Sequence, residues 1–431
     1  MNKAIENYRK TFDVLAPEIN ANIEKYRKGK FNIKVVDKDG KPVVATVKAE
    51  QKTHAFDFGT NVLMLGHMGD KEQEYRDAIT NMFNFITTTF CWKDMEPQPG
   101  TFRFDVDSEE IYRRPPGDRV LNFAKENNLK AKGQPLFSGC WNPDWAPKDF
   151  EEFKRLWVNY VKEVAQRYDG EYSVFDVVNE SYQVEGSWRH VKWFPISFAE
   201  FVKWTLNVAA EHFSDKTVME RNELTHVNYG PTALQYYEDN KKLLEEGVRL
   251  DSIGFQFHFI KGEDCIKDHL SGEVDLNTIY NTYHRMSTLG VPMYITEITI
   301  PSVYPDMSRA EGESLQAEIL DKLYRLWFSI PNMRGIVYWN LKDGDTWVGE
   351  DTCCGCLMDE YLRKKKSYYA LEHLLKHEWN TCVTLTSDAD GNAVFSGFFG
   401  DYDITVEIEG QPAQKCRATF DKDTDSYVVN V

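Results

Sequence analysis

Two glutamates stand where a buried strand should end. In "VFDVVNE" the apolar residues Phe175, Val177 and Val178 lead into Asn179 and Glu180. In "VPMYITEITI" a second apolar run carries Glu297. An acidic side chain within such a run is costly unless it is paired or used. Taken singly, each glutamate is readily a helix cap or an ion-pair member. Together they suit a reaction in which one carboxyl group gives up a proton and a second carboxylate attacks carbon or activates water. Glycosidic bond cleavage has that requirement. Asn179 is placed to hydrogen-bond a sugar hydroxyl beside the reacting carbon. In "GFQFHF", Gln256 and His258 lie two residues apart and so share a strand face. His258 then either orients Glu297 and keeps it ionised, or is a satisfied core histidine. "VYWNLKDGDTW" sets Trp339 and Trp347 about another strand end, as core packing or as walls for a sugar ring. The chemistry calls for no metal and no organic cofactor.

Such residues need a scaffold that gathers strand ends. Short β-rich runs alternate with helical periodicity from about residue 83 onward. The runs predicted as strands are Asn84–Thr88, Leu129–Phe137, Val174–Asn179, Thr217–Arg221, Ile253–Phe259, Met293–Ile300 and Gly335–Trp339, with Phe56–Asn61 completing eight. Helices are expected over Asp149–Tyr168, Ser197–His212, Leu234–Glu246 and Glu311–Ser329. Strand–helix alternation implies a parallel sheet, and the count is that of an α/β (β/α)8 TIM barrel. An open doubly wound sheet is disfavoured, because no glycine-rich phosphate fingerprint follows any strand. In a barrel, Glu180 and Glu297 close the fourth and seventh strands at the face where active sites form.

The barrel is expected over residues 55–379. Residues 1–54 read as an N-terminal extension packed on it: amphipathic helix carrying Ile5, Tyr8, Phe12, Leu15, Ile19 and Ile23, broken near Pro17, then two strands joined as a hairpin through "DKDGKP". After "HEWNT" the pattern turns to period two, so residues 380–431 read as a small all-β module. Phe398, Phe399 and Tyr402 there either bind carbohydrate or pack against the barrel.

The totals narrow the function. A chain of 431 residues with 42% hydrophobic and 28% charged residues has a sizeable core and no sign of disorder. Its formal net charge of −17 disfavours nucleic acid and anionic membrane as partners. A carbohydrate or glycoside substrate carries no such objection. No apolar run reaches signal-peptide or membrane-spanning length, so the sequence as it stands reads as cytoplasmic. The eight cysteines lack zinc-site spacing. "CCGC" at Cys353–Cys356 reads as reduced loop thiols, with a bridged pair as the alternative.

In their order and separations, "DVVNE", "GFQFH", "ITE" and "YWNLKDGDTW" resemble family 10 glycoside hydrolases, best known as endo-β-1,4-xylanases. "FNFITTTFCWKDMEPQPGTFRF" and "KGQPLFSGCWNPDW" resemble that family's second- and third-strand blocks. The likeness runs from about Phe56 to Trp379. It implies a retaining mechanism, with Glu180 as acid/base, Glu297 as nucleophile, and Asn179, Gln256 and His258 beside them. Trp92, Gln134 and Tyr182, in or next to the same blocks, are counted with Trp339 and Trp347 as substrate contacts. The departures fall on the sugar-binding side. Thr88 and Cys91 stand where the family has an Asn and a Lys, and Ser138-Gly139 replaces a Trp-His pair. Short side chains there predict a loosened pocket, open to glucose or galactose units or to small-molecule plant glycosides of the tomatine type. Trp141, Trp145, Trp188 and Trp193 are candidates for an apolar leaving-group site. A barrel that binds carbohydrate without turnover is the reading from a different class.

Overall fold

The structure is a computed structural model. It describes residues 2–182, 193–260, 275–347 and 349–431. The central ring is parallel: β3 (Asp57–Asn61), β4 (Phe85–Thr89), β5 (Lys130–Gln134) with its short continuation β6 (Phe137–Ser138), β7 (Val174–Asn179), β8 (Val218–Glu223), β9 (Ser252–His258), β10 (Met293–Thr299) and β11 (Met333–Tyr338). β11 pairs with β3, and β5 with β7, so the sheet closes on itself as an eight-stranded barrel. The run expected as one strand over Leu129–Phe137 is interrupted at Pro135, which has no N–H to give the ladder.

The helices start where the sequence supplies caps. Asp149 accepts from the N–H of Glu152 at the head of the helix Phe150–Tyr168. Ser197 with Glu200, and Ser308 with Glu311, form reciprocal capping boxes at two others. The barrel interior is layered. Its lowest layer is apolar: Phe85, Val174, Tyr294 and Val337. Above it lies a charged layer, fully buried, in which Lys132 pairs with Glu220, Ser252 donates to Glu220 at 2.8 Å, and Asp176 stands 4.0 Å from Lys132.

The N-terminal helix α1 (Asn2–Arg27) runs unbroken through Pro17. Pro17 and Asp13, whose carbonyl it frees, are on the exposed side, so water can replace the lost bond. The opposite face buries Tyr8, Phe12, Leu15, Ile19 and Ile23, and Arg9 forms a two-pronged bond to Glu318 of the helix Arg309–Ser329.

The expected hairpin is corrected. β1 (Lys28–Val36) and β2 (Thr46–His54) lie in different sheets. β1 sits between β13 (Asn392–Phe398) and β16 (Ser426–Asn430). β2 sits between β12 (Cys382–Thr386) and β14 (Gly400–Glu407), with β15 (Gln414–Phe420) outside. "DKDGKP" does turn the chain, with Gly40 at φ 77°. Beyond it the strands face each other across a shared core of Phe31, Ile33, Val47, Ala49, Ile404 and Phe420. The N- and C-terminal strands thus build one two-sheet sandwich. Phe398 and Tyr402 are buried, and Phe399 packs edge-on to Phe31.

Candidate active site

β7 and β10 each carry a register shift just before their glutamate: between Asp176 and Val178 on β7, and between Ile295 and Glu297 on β10. A bulge re-aims the side chains that follow it. Glu180 then takes a left-handed backbone, φ 60°, with its N–H bonded to the carbonyl of Asn222 at 3.0 Å. A non-glycine residue in that region is strained, and such strain collects at functional sites.

The structure brings Asn179, Glu180, Gln256, His258, Gln134 and Glu297 into one network. Gln256 Nε2 donates to Glu180 Oε1 and to Asn179 Oδ1, each at 3.1 Å. Glu297 Oε1 accepts from Gln134 Nε2 and, at 3.2 Å, from Asn222 Nδ2. His258 Nε2 lies 3.2 Å from Glu297 Oε2, and its Nδ1 lies 2.9 Å from the Thr299 hydroxyl. Burial, reinforced by the charge of Glu297, pushes the Glu180 carboxyl up to about 7. Burial opposes a charged His258 ring, but the bond and charge of Glu297 outweigh it and raise its pKa. One site carboxyl thus keeps its proton up to about pH 7, while the other is gripped by three side chains.

Asn222 and Thr299 complete this network and were not singled out from the sequence. The signal for Asn222 is a run of polar residues in a buried strand: Glu220, Arg221, Asn222 and Glu223 in "VMERNE". Asn222 is itself held by Thr296, whose hydroxyl donates to Oδ1 at 2.7 Å.

The other expected contacts divide. Trp339 sits at the edge of the network, its ring 6.3 Å from that of His258. Trp347 is half exposed and meets Trp141 edge-on. Tyr182 commits its hydroxyl to Asp239, with its ring against Arg221. Trp92 is buried, bonded to Glu96 at 2.7 Å and packed on Tyr160, Phe153 and Trp145, so it offers a sugar no free face. Trp193 packs on Phe150, Phe153 and Phe194, and Trp188 falls outside the described residues. Thr88, Cys91, Ser138 and Gly139 are all buried. Cys353, Cys354 and Cys356 are free thiols, and burial pushes all three up in pKa. Among the described residues no group of three or more His, Cys, Asp or Glu is placed to hold a metal ion, and no helix is long and apolar enough to cross a membrane.

A closed (β/α)8 barrel with two carboxyl groups at its rim is an arrangement that suits glycosidic bond cleavage. The family model described as Glycosyl hydrolase family 10 matches residues 47–374, and the chain belongs to that family. It is 27% identical over 406 residues to the anti-sigma-I factor RsgI6 of Acetivibrio thermocellus, a match covering 91% of this chain and 47% of that protein. The chain thus spans about half the length of that relative. It is 23% identical to endo-1,4-beta-xylanase B of Thermotoga neapolitana over 316 residues, 71% of this chain and 84% of the relative. Among solved structures, xylanase 10B from Thermotoga petrophila in complex with xylobiose superposes with a TM-score of 0.63 at 23% identity, covering 75% of this chain and 95% of that one. An intracellular xylanase from Thermoanaerobacterium saccharolyticum gives 0.60 at 21%, covering 74% and 95%.

Proposed function

We propose that the chain hydrolyses β-glycosidic bonds with retention, by double displacement, with Glu297 as nucleophile and Glu180 as acid/base. The observation that carries this is a carboxyl group raised in pKa beside a second one held by hydrogen-bond partners. Glu180 is lifted to about 7 by burial and by Glu297. Glu297 accepts hydrogen bonds from Gln134 and Asn222 and faces His258. In the first step Glu297 attacks the anomeric carbon while Glu180 gives its proton to the departing oxygen. Once Glu297 is esterified its charge is gone, and Glu180 ionises more readily. It then takes a proton from water, which attacks the same carbon and frees Glu297. Asn179, tied to Glu180 through Gln256, is placed for a hydroxyl of the reacting sugar.

The substrate class proposed is β-1,4-linked xylan-type glycan, following the xylanases among its relatives. The test is proton NMR of the first product formed from an aryl β-glycoside. The β-anomer supports the reading, and the α-anomer contradicts it. A second reading is sugar binding without turnover; the relative named as an anti-sigma-I factor, whose match covers 91% of this chain, carries a name that is not that of an enzyme. Turnover that is lost in Glu297→Ala rejects it.

A further inference from the structure

A cleft of about 450 Å³ opens where the terminal β-sandwich meets the barrel. On the barrel side it is walled by Pro292 and Asn332, which immediately precede β10 and β11, and by Phe56, which precedes β3. These are N-terminal strand ends, at the end of the barrel opposite to Glu180, which follows β7. The sandwich contributes Phe399 and the turn Asp421–Asp423 between β15 and β16. The cleft is thus separate from the candidate active site.

Three cations line it: Arg27, Arg334 and Lys422. Arg27, the last residue of α1, is only 6% exposed. Its Nε donates to the carbonyl of Phe328 at 2.6 Å, and its Nη2 donates to that of Ile330. These carbonyls end the helix Arg309–Ser329, so part of the guanidinium serves as a cap. Its carbon also lies 5.0 and 5.3 Å from the ring centres of Phe56 and Phe328. Nη1 bonds no described residue, and no carboxylate among the described residues pairs with the group. A buried cation without a counter-charge is costly. Burial, and then the charge of Arg334, lower its pKa to about 9. Arg334 and Lys422 are exposed, and neither forms an ion pair among the described residues. Carboxylates outnumber cations in this chain by 68 to 51. Three cations left without partners in one cleft therefore call for an anion from outside.

The acids of the cleft do not supply it. Asp421 accepts the N–H groups of Asp423 and Thr424 at 2.9 and 2.7 Å, which closes its own turn. Asp423 is exposed and pairs with no cation among the described residues. A carboxylate left over beside unpaired cations is an acceptor for hydroxyl groups. Phe56, Phe399 and Pro292 offer apolar faces to a small ring. The volume falls within the roughly 300–1,000 Å³ of small-molecule sites.

We propose that this cleft binds a small anionic sugar, one carrying a phosphate or carboxylate group, with the anion held by Arg27 and Arg334 and the hydroxyls by Asp423. Arg334, with its whole fork unbonded, suits a pair of oxygens. A ligand held there touches barrel and sandwich together. The proposal does not depend on the hydrolytic reading.

Isothermal titration calorimetry on the full chain, at pH 7 in a phosphate-free buffer, tests it with glucose 6-phosphate, glucuronate, inorganic phosphate and glucose. One or both anionic sugars should bind, and which of them binds identifies the anion. Neutral glucose should not bind, and inorganic phosphate should bind more weakly than the anionic sugar. Arg334→Ala removes an exposed side chain, with melting checked, and should weaken binding by roughly tenfold or more. Binding of neither anionic sugar would overturn the proposal, as would equal binding of glucose. An affinity unchanged in Arg334→Ala would place the ligand elsewhere and overturn it too. Inorganic phosphate bound as tightly as the sugars would refute the sugar.

Discussion

The side-chain amide of Gln256 donates to Oε1 of Glu180 at 3.1 Å, from a strand position that pairs with Glu297 in the β9–β10 ladder. One residue thus touches the proposed acid and fixes the strand that carries the proposed nucleophile. The bond favours the charged form of Glu180, against burial and the Glu297 charge, which favour the neutral form. The pH profile of kcat/KM should therefore fall on its alkaline side near pH 7, as Glu180 loses its proton. In Gln256→Ala that limb should move to higher pH. A limb that stays in place, or moves down, would break the assignment.

The same group links stability to pH. Its folded pKa, about 7, lies above the 4.5 of a free glutamate side chain. The protonated form is thus the one the fold prefers. Its contribution is fully present below about pH 4.5 and is lost as pH rises through about 7. Glu180→Gln removes the charge and its burial cost. Urea denaturation should show this variant more stable than wild type at pH 8, by on the order of 2–3 kcal/mol, and equal to it near pH 4.5. Equal stability at both pH values would mean the carboxyl is better solvated than its surroundings indicate.

Thr299 supports Glu297 through His258. Its hydroxyl lies 2.9 Å from Nδ1, on the far side of the ring from Glu297. Thr299→Val keeps the shape and removes the bond. A bond worth about 0.5–1.5 kcal/mol implies a loss of roughly threefold to tenfold in kcat/KM, with Thr299→Ser close to wild type. Steady-state kinetics on an aryl β-glycoside, with the pH profile of each variant, is the check.

The charged layer beneath the site makes a separate prediction. Lys132 is 1% exposed and pairs with Glu220. Removing one member leaves an uncompensated buried charge, so Lys132→Met should cost about 3–5 kcal/mol in chemical denaturation. Adding Glu220→Gln should return most of that loss. Additive losses in the double variant would show that the two groups do not act as a pair.

What the sequence made legible was what local pattern controls. Glu180 and Glu297 drew attention as a pair, because two carboxylates on apolar runs at one face of a barrel are harder to explain than either alone. The barrel was visible because its β- and α-type periodicities alternate. Pairing over long separations was not. β1 and β2 look like the arms of a hairpin because alternation records which face of a strand is buried, not which neighbour it has. Their partners lie more than 300 residues further on. Pro17 misled for a related reason: its cost is set by the exposure of a backbone carbonyl one turn earlier, which tertiary packing decides. Trp92 read as a sugar contact because its block does, yet its indole is enclosed by three aromatic rings and Glu96. Asn222 escaped because it lies among four consecutive polar residues in "VMERNE", where none stands out from its neighbours.

The most direct test of the paired-glutamate account is covalent trapping. An activated 2-deoxy-2-fluoro β-glycoside slows breakdown of the glycosyl-enzyme more than its formation, and peptide mapping then finds the esterified residue. The account predicts a single label on Glu297 in wild type. In Glu180→Ala the same residue should be labelled, provided the leaving group needs no acid. A label on Glu180, on Glu220 or on any other carboxylate would contradict it.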